Sequence, residues 1–175
     1  MVQVFLNPPM KFRCPREALE NALDIVSHAI DNNVTLPVLS NILIRCQGKK
    51  AYFSATNLEM AVNFSMDCDV INEGAVTVPA KLFSGYITLL KDPDVECSVI
   101  SGLTLAINSA GSKTKIKCIA AEEFPSISKI DETASFEVLR EELPEAVSQV
   151  CFAASTHHVR PVLSGVYVEA EGKNL

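Results

Sequence analysis

Cations are scarce in this chain of 175 residues: 15 Lys and Arg stand against 21 Asp and Glu, a formal charge of −6. A protein that holds nucleic acid by bulk charge needs Lys and Arg for the phosphates, so any reading that involves DNA has to explain the deficit. No apolar stretch approaches the roughly 18 residues of a membrane span. The opening MVQVFLNPPM has no basic start, its apolar run is short, and Pro8-Pro9 closes it. This excludes a secretory signal and predicts a cytoplasmic protein without membrane attachment.

Six cysteines (Cys14, Cys46, Cys68, Cys97, Cys118 and Cys151) lie at least 21 residues apart, with no C-x-x-C pair. Zinc sites and disulfide frameworks need closer, paired spacing, and most of these cysteines fall in apolar runs. They read as reduced, buried thiols. Hydrolase, phosphate-loop and zinc-protease motifs are missing as well. A thiol nucleophile needs an adjacent imidazole, and nothing in the spacing of His28, His157 and His158 supplies one. No catalytic residue, metal ligand or cofactor is assigned.

What the chain does have is 48% hydrophobic and 21% charged residues, the balance of a globular protein with a core. The length suits one domain and part of another. A repeat gives this more definition. Residues 12–50 align without a gap over residues 136–174, at an offset of 124, with 13 identities in 39 positions. Unrelated sequences of this composition would share roughly two or three. The matches include Phe12/Phe136, Arg16/Arg140, Leu19/Leu143, Ala22/Ala146 and Val26/Val150, then Pro-Val-Leu-Ser at 37–40 and again at 161–164. A second copy of equal length would run to about residue 259, so the sequence reads as a piece of a longer protein. Its domains are expected at 10–132, complete, and 133–175, the opening of a second, with 1–9 as a disordered extension. The partial copy cannot cover its own apolar helix face.

Inside the first copy, residues 11–14 read as a strand and Pro15 sits at the first turn of a helix. Leu19, Ala22, Leu23, Val26 and Ile30 follow at helical spacing as far as Asp31. Strands are expected over 38–46, 52–56 and 58–68. The order then recurs: strand 75–78, helix 80–90, strands 95–100, 103–108 and 113–119. The fold class is α+β, a duplicated β-α-β-β-β unit with two helices on one face of antiparallel sheet.

These residues resemble a known family. MKF (10–12), TLPVLSNILI (35–44), ATNLEMAV (55–62), TVPAKLF (77–83), AEEFPSI (121–127) and VRPVLSGV (159–166) are similar, in order, to stretches of the beta sliding clamps, the processivity subunits of bacterial DNA polymerase III. The resemblance implies a DNA clamp fold with three such domains per subunit. Two subunits close as a homodimeric ring around double-stranded DNA, helices lining the hole and sheets outside. It also implies partners, the polymerase III catalytic subunit and the clamp loader, and no catalysis by this subunit. Met10 aligns with the usual start of the family.

A ring answers the charge objection, because linkage replaces tight contact and a mildly positive inner wall suffices. On helix 80–90, Leu82, Phe83, Tyr86, Ile87 and Leu90 are expected to face the core. Lys81, Ser84, Gly85, Thr88 and Lys91 face outward, with Lys81 and Lys91 as candidate phosphate contacts. The first helix, over 15–31, is net −3. Arg16 and Arg140 occupy equivalent positions and are further candidates toward DNA. So are Asn33, in a turn where the family often has a basic residue, and His157, His158 and Arg160 in the equivalent second turn. Arg160 and Leu163 also match positions bordering the family's partner-peptide groove. Lys113, Lys115 and Lys117 alternate along one strand and read first as an edge protected by lysine. By resemblance the dimer edge includes Lys113, Thr114, Ile116 and Cys118. A non-catalytic repeat scaffold for protein contacts is the rival reading, since fold alone does not determine function.

Overall fold

The computed structural model describes residues 9–30, 36–127, 137–156 and 160–169. The chain divides into two units, Met1–Ser128 and Lys129–Leu175.

In the first unit the order is β1 (Lys11–Pro15), α1 (Arg16–Ser27), β2 (Asn41–Gln47), β3 (Lys50–Thr56), β4 (Ala61–Asp67) and β5 (Asp69–Asn72). It continues with β6 (Gly74–Pro79), α2 (Ala80–Leu89), β7 (Asp94–Ile100), β8 (Thr104–Ser109) and β9 (Ser112–Lys117). The strands form two antiparallel sheets, β5-β1-β7-β8-β9 and β4-β3-β2-β6. The doubled β-α-β-β-β order is therefore present, with β5 as an addition. Each half lends its first strand to the other half's sheet: β1 pairs with β7, and β6 pairs with β2. This exchange interlocks the halves, so neither has a complete sheet alone.

The sheets meet at one bridge, where Thr77 and Ile119 each donate a backbone N–H to the other's carbonyl at 3.1 Å. Buried Asn41 donates its side-chain amide to Thr77 Oγ1 at 3.0 Å, and that hydroxyl donates to the Ile119 carbonyl at 3.0 Å. Polar groups here are buried with their hydrogen bonds made, the condition on which burial is tolerated.

Alternation along the strands sends Phe12, Ile42, Ile44, Phe53, Val76, Val78, Val95, Leu105 and Ile107 into one core. Helix α1 adds Leu19, Ala22, Leu23 and Val26, and α2 adds Ala80, Phe83 and Ile87. Both helices follow a proline, Pro15 and Pro79, whose ring holds φ near −59° and −53° at the strand-to-helix corner.

Several element limits differ from the pattern in the sequence, each for a local reason. Helix α1 stops at Ser27, not Asp31. Ser27 Oγ donates to the Leu23 carbonyl at 2.6 Å, and His28 Nδ1 lies 2.9 Å from the Asp24 carbonyl. Beyond Ser27 the Ala29 and Ile30 N–H groups donate to carbonyls three residues back, Val26 and Ser27, at 3.1 Å each, so the last turn tightens to 3-10 form. Strand β2 begins at Asn41 because Pro37–Ser40 forms a 3-10 turn, closed by Ser40 Oγ on the Pro37 carbonyl at 2.7 Å. Strand β4 begins at Ala61 because Asn57 Oδ1 accepts the N–H groups of Glu59 (3.0 Å) and Met60 (2.7 Å), an Asx turn. Leu82 corrects the expected core of α2: it is 63% exposed.

The second unit contains α3 (Glu142–Cys151) and a 3-10 turn over Pro161–Ser164. Three backbone hydrogen bonds of the first unit recur in it at the 124-residue offset. Ala29 N–H to Val26 O is matched by Ala153 to Val150, Ile30 to Ser27 by Ala154 to Cys151, and Leu39 to Leu36 by Leu163 to Arg160. The packing is not repeated. Leu143, Val147 and Val150, counterparts of buried Leu19, Leu23 and Val26, are 41%, 41% and 47% exposed.

Candidate nucleic-acid interface

The helices of the first unit and the turn after α2 hold three of the eight residues singled out for DNA, Arg16, Lys81 and Lys91. On α2, Lys81, Gly85 and Thr88 are exposed, Ser84 is half-buried, and Lys91 is exposed in the turn beyond. Neither Lys81 nor Lys91 pairs with a carboxylate among the described residues. Lys91 lies past the carboxyl end of the helix, where a cation complements the macrodipole.

Arg16 is differently placed. Its guanidinium is ion-paired with Glu20 one turn on and lies 3.6 Å from Glu17, with the side chain only 20% exposed. Its backbone N–H donates to the Pro93 carbonyl at 2.7 Å, tying the start of α1 to the turn after α2. Its charge is thus largely answered within its own helix. Between α1 and α2 runs a groove of about 580 Å³ lined by Glu17, Glu20, Asn21, Leu23, Asp24, Ser27, Ser84 and Thr88. Among the described residues the two helices and the turn from α2 into the start of β7 carry three cations, Arg16, Lys81 and Lys91, and five carboxylates, Glu17, Glu20, Asp24, Asp92 and Asp94. A face of this kind attracts phosphate weakly, and weakly in a salt-dependent way.

Arg140, Arg160 and Leu163 are exposed in the second unit. Asn33, His157 and His158 lie outside the described residues, as do residues 1–8. On β9, an edge strand, Lys113 and Lys115 are exposed, Thr114 is half-buried and Ile116 buried; Cys118, just past its end, is half-buried. Sequence patterning missed Leu82 and Leu89, exposed by 63% and 79%. Their seven-residue spacing, two turns of helix, puts them on one side of α2.

Nucleophilic chemistry finds no support in the thiols. Burial pushes Cys14 and Cys46 up to about 12, with neighbouring cysteines adding to it. Burial raises Cys97, Cys68 and Cys118 as well. All six cysteines are free, and Cys151 alone is exposed. His28 is turned to its own helix end. Among the described residues, no group of His, Cys, Asp and Glu could hold a metal ion.

Residues 10–128 match the family model of the DNA polymerase III beta subunit, N-terminal domain. The chain belongs to that family. A beta sliding clamp from Synechocystis is 30% identical over 95% of this chain and 44% of its own length. The structure of Caulobacter crescentus pol III beta matches with TM-score 0.87 and 30% identity over 94% of this chain and 44% of its own. The Pseudomonas aeruginosa DNA polymerase III subunit beta matches with TM-score 0.83 and 26% identity, over 89% and 43%. The chain spans less than half the length of each of these relatives.

Family membership makes sense of the motifs as structure. TLPVLSNILI contains the 3-10 turn and the start of β2, including Asn41; ATNLEMAV contains the Asx turn; TVPAKLF carries Thr77 and the corner into α2. These stretches build the joints of the fold, whereas the charged residues proposed for DNA lie on its surface.

Proposed function

We propose that this chain is the N-terminal part of a sliding clamp, a processivity factor that encircles duplex DNA as a ring of two subunits and tethers the replicative polymerase. The helix face turns toward the DNA, with Lys81 and Lys91 making weak, sequence-independent phosphate contacts. Arg140, Arg160 and, beyond the described residues, Asn33, His157 and His158 extend that wall. Arg16 acts through the α1 charge balance more than as a free contact. The second unit begins a second clamp domain, in which Arg160 and Leu163 border the groove for partner peptides. The edge of β9, with Lys113, Thr114, Ile116 and Cys118, pairs with the other subunit. The clamp loader and the polymerase III catalytic subunit are its partners in the cytoplasm, and the subunit catalyses nothing itself. No helix among the described residues is long and apolar enough to cross a membrane.

The observation that carries this reading is the helix face, on which, among the described residues, Lys81 and Lys91 stand free but cations do not outnumber carboxylates. A protein that must stay on DNA yet move along it is better served by linkage than by strong phosphate pairing, since each neutralised phosphate raises affinity and salt dependence. The test uses the full-length protein loaded on nicked circular DNA. Retention should persist at high salt and end when the circle is linearised; retention indifferent to linearisation would refute sliding.

A further inference from the structure

Four thiols that the sequence keeps far apart, Cys14, Cys46, Cys68 and Cys97, gather in the core of the first unit, near enough to raise one another. Cys14 and Cys97 come from neighbouring strands of the β5-β1-β7-β8-β9 sheet, and Cys46 from the other sheet. Cys68 sits between β4 and β5, where the chain crosses from the edge of one sheet to the edge of the other. Its N–H donates to the Lys49 carbonyl at 3.0 Å, while β5, which follows, pairs with β1.

Register picks out one pair. Phe12 opposes Val70 and Arg13 opposes Asp69, so one step further Cys14 opposes Cys68. Alternation turns both to the same side. Arg13 and Pro15 are exposed around buried Cys14, and Asp67 and Asp69 are exposed around Cys68, which is half-buried against the core. Directly opposed residues of an antiparallel pair have Cα atoms about 4.5–5.5 Å apart, inside the roughly 4.4–6.8 Å that a disulfide spans. The other thiols are less well placed. Cys14 opposes Val95 on β7, which leaves Cys97 a diagonal neighbour at about 7–8 Å, beyond that span. Cys46 opposes Ala51 and Gly74, neither of them a cysteine. After burial itself, Cys68 is the neighbour that most raises the Cys14 thiol. Raised thiols are poor nucleophiles, so the pair stays reduced until an oxidant is supplied.

We propose that Cys14 and Cys68 are a disulfide-forming site, closed by a peroxide oxidant, that fastens the chain to β1 where it crosses between the sheets. Cys68, the more exposed of the two, reacts first: its thiolate attacks one peroxide oxygen, the O–O bond breaks and a sulfenic acid forms. The Cys14 sulfur then attacks the Cys68 sulfur, the S–S bond closes and water leaves. Two thiols and one hydrogen peroxide thus give one disulfide and two waters, with both sulfurs oxidised and the peroxide reduced. The closed loop, residues 14–68, contains α1 and β2 to β4, so the link restricts the unfolded chain and stabilises the folded one. The site depends on the fold of the first unit and is independent of any role on DNA.

The experiment treats the folded 175-residue protein, carrying Cys151→Ser to remove the exposed thiol, with hydrogen peroxide. Remaining thiols are alkylated and the unreduced digest is read by mass spectrometry. A linked Cys14–Cys68 peptide should exceed every other cysteine pairing at least fivefold and disappear on treatment with dithiothreitol. The urea midpoint should rise on oxidation and return on reduction. Oxidation in urea should scatter the pairings, because register is lost there. Predominance of another pair, sulfinic acid at Cys68 without a link, no reaction in the folded protein, or an unchanged midpoint overturns the proposal. So does a Cys14–Cys68 link that is equally dominant in the denatured chain.

Discussion

Leu58 holds a backbone φ of +76° in the turn between β3 and β4 while its side chain is 63% exposed. Its neighbours enforce this: Asn57 Oδ1 takes two N–H groups, and Leu58 N–H donates to Thr56 Oγ1 at 3.0 Å. Left-handed backbone costs an L-residue about 1 kcal/mol, a penalty glycine escapes. Leu58→Gly should therefore keep or raise stability, by up to about 1 kcal/mol, while Leu58→Ala should not. Urea midpoints of the two variants give the comparison; a clear loss in the glycine variant would mean that the side chain makes a contact outweighing the strain. Such a φ is invisible in the sequence, where Leu58 passes for the first residue of a strand. Leu82 misleads in the same way. The α2 segment carries leucine on both sides of its apolar stripe, so composition alone cannot say which one packs. The structure sends Phe83, Ile87 and Leu90 inward and leaves Leu82 in solvent.

At the scale of elements, α1 and α3 offer a controlled comparison, because nearly the same apolar pattern is buried in one and bare in the other. Leu23→Ala should cost about 2–5 kcal/mol, the usual range for a large-to-small change in a packed core. Its counterpart Val147→Ala should cost less than about 0.5 kcal/mol, as surface changes do. Chemical denaturation followed by circular dichroism separates them, and comparable losses would show that α3 is covered in solution. Strands β1 and β7 give a pH prediction. The Glu96 carboxyl is held below its ordinary value by the hydrogen bond from Lys11, with Arg13 adding to it. A carboxyl lowered in the folded state favours folding above its unfolded pKa, and that contribution disappears as pH falls through the folded value. Glu96→Gln should thus lower stability slightly at neutral pH and converge with the parent in acid, once the pH has fallen through the lowered Glu96 value. Urea titrations at pH 7 and in acid test the sign; a difference that persists unchanged in acid would assign the effect to packing. The helices and most strands were legible because their periods are local properties of the chain. Strand β5 was not, since four residues, Asp-Val-Ile-Asn, carry too little pattern to declare themselves.

For the whole molecule, the two units differ in how much of themselves they bury. Limited proteolysis should remove the segment beyond residue 128 first and leave a resistant product near residues 10–127, identified by mass; equal resistance of α3 would contradict its exposure. Charge, too, acts across the whole molecule. Net −6 looked unfavourable for a DNA-associated protein, yet the charge is unevenly distributed: exposed lysines stand on the helix face and along β9. Arg16 shows why the sequence could not reveal this. Its use depends on Glu17 and Glu20 being at hand, and its candidacy for phosphate rests on how much charge they leave. By itself the sequence determined the internal repeat, the order of the helices and of every strand but β5, and the family, because periodicity, proline corners and shared motifs are written along the chain. Only the tertiary structure decided that the halves exchange their first strands, that Asn41 and Thr77 join the sheets, and which leucines and lysines face solvent. Those outcomes depend on pairing between residues tens of positions apart, and burial is a property of the assembled pair.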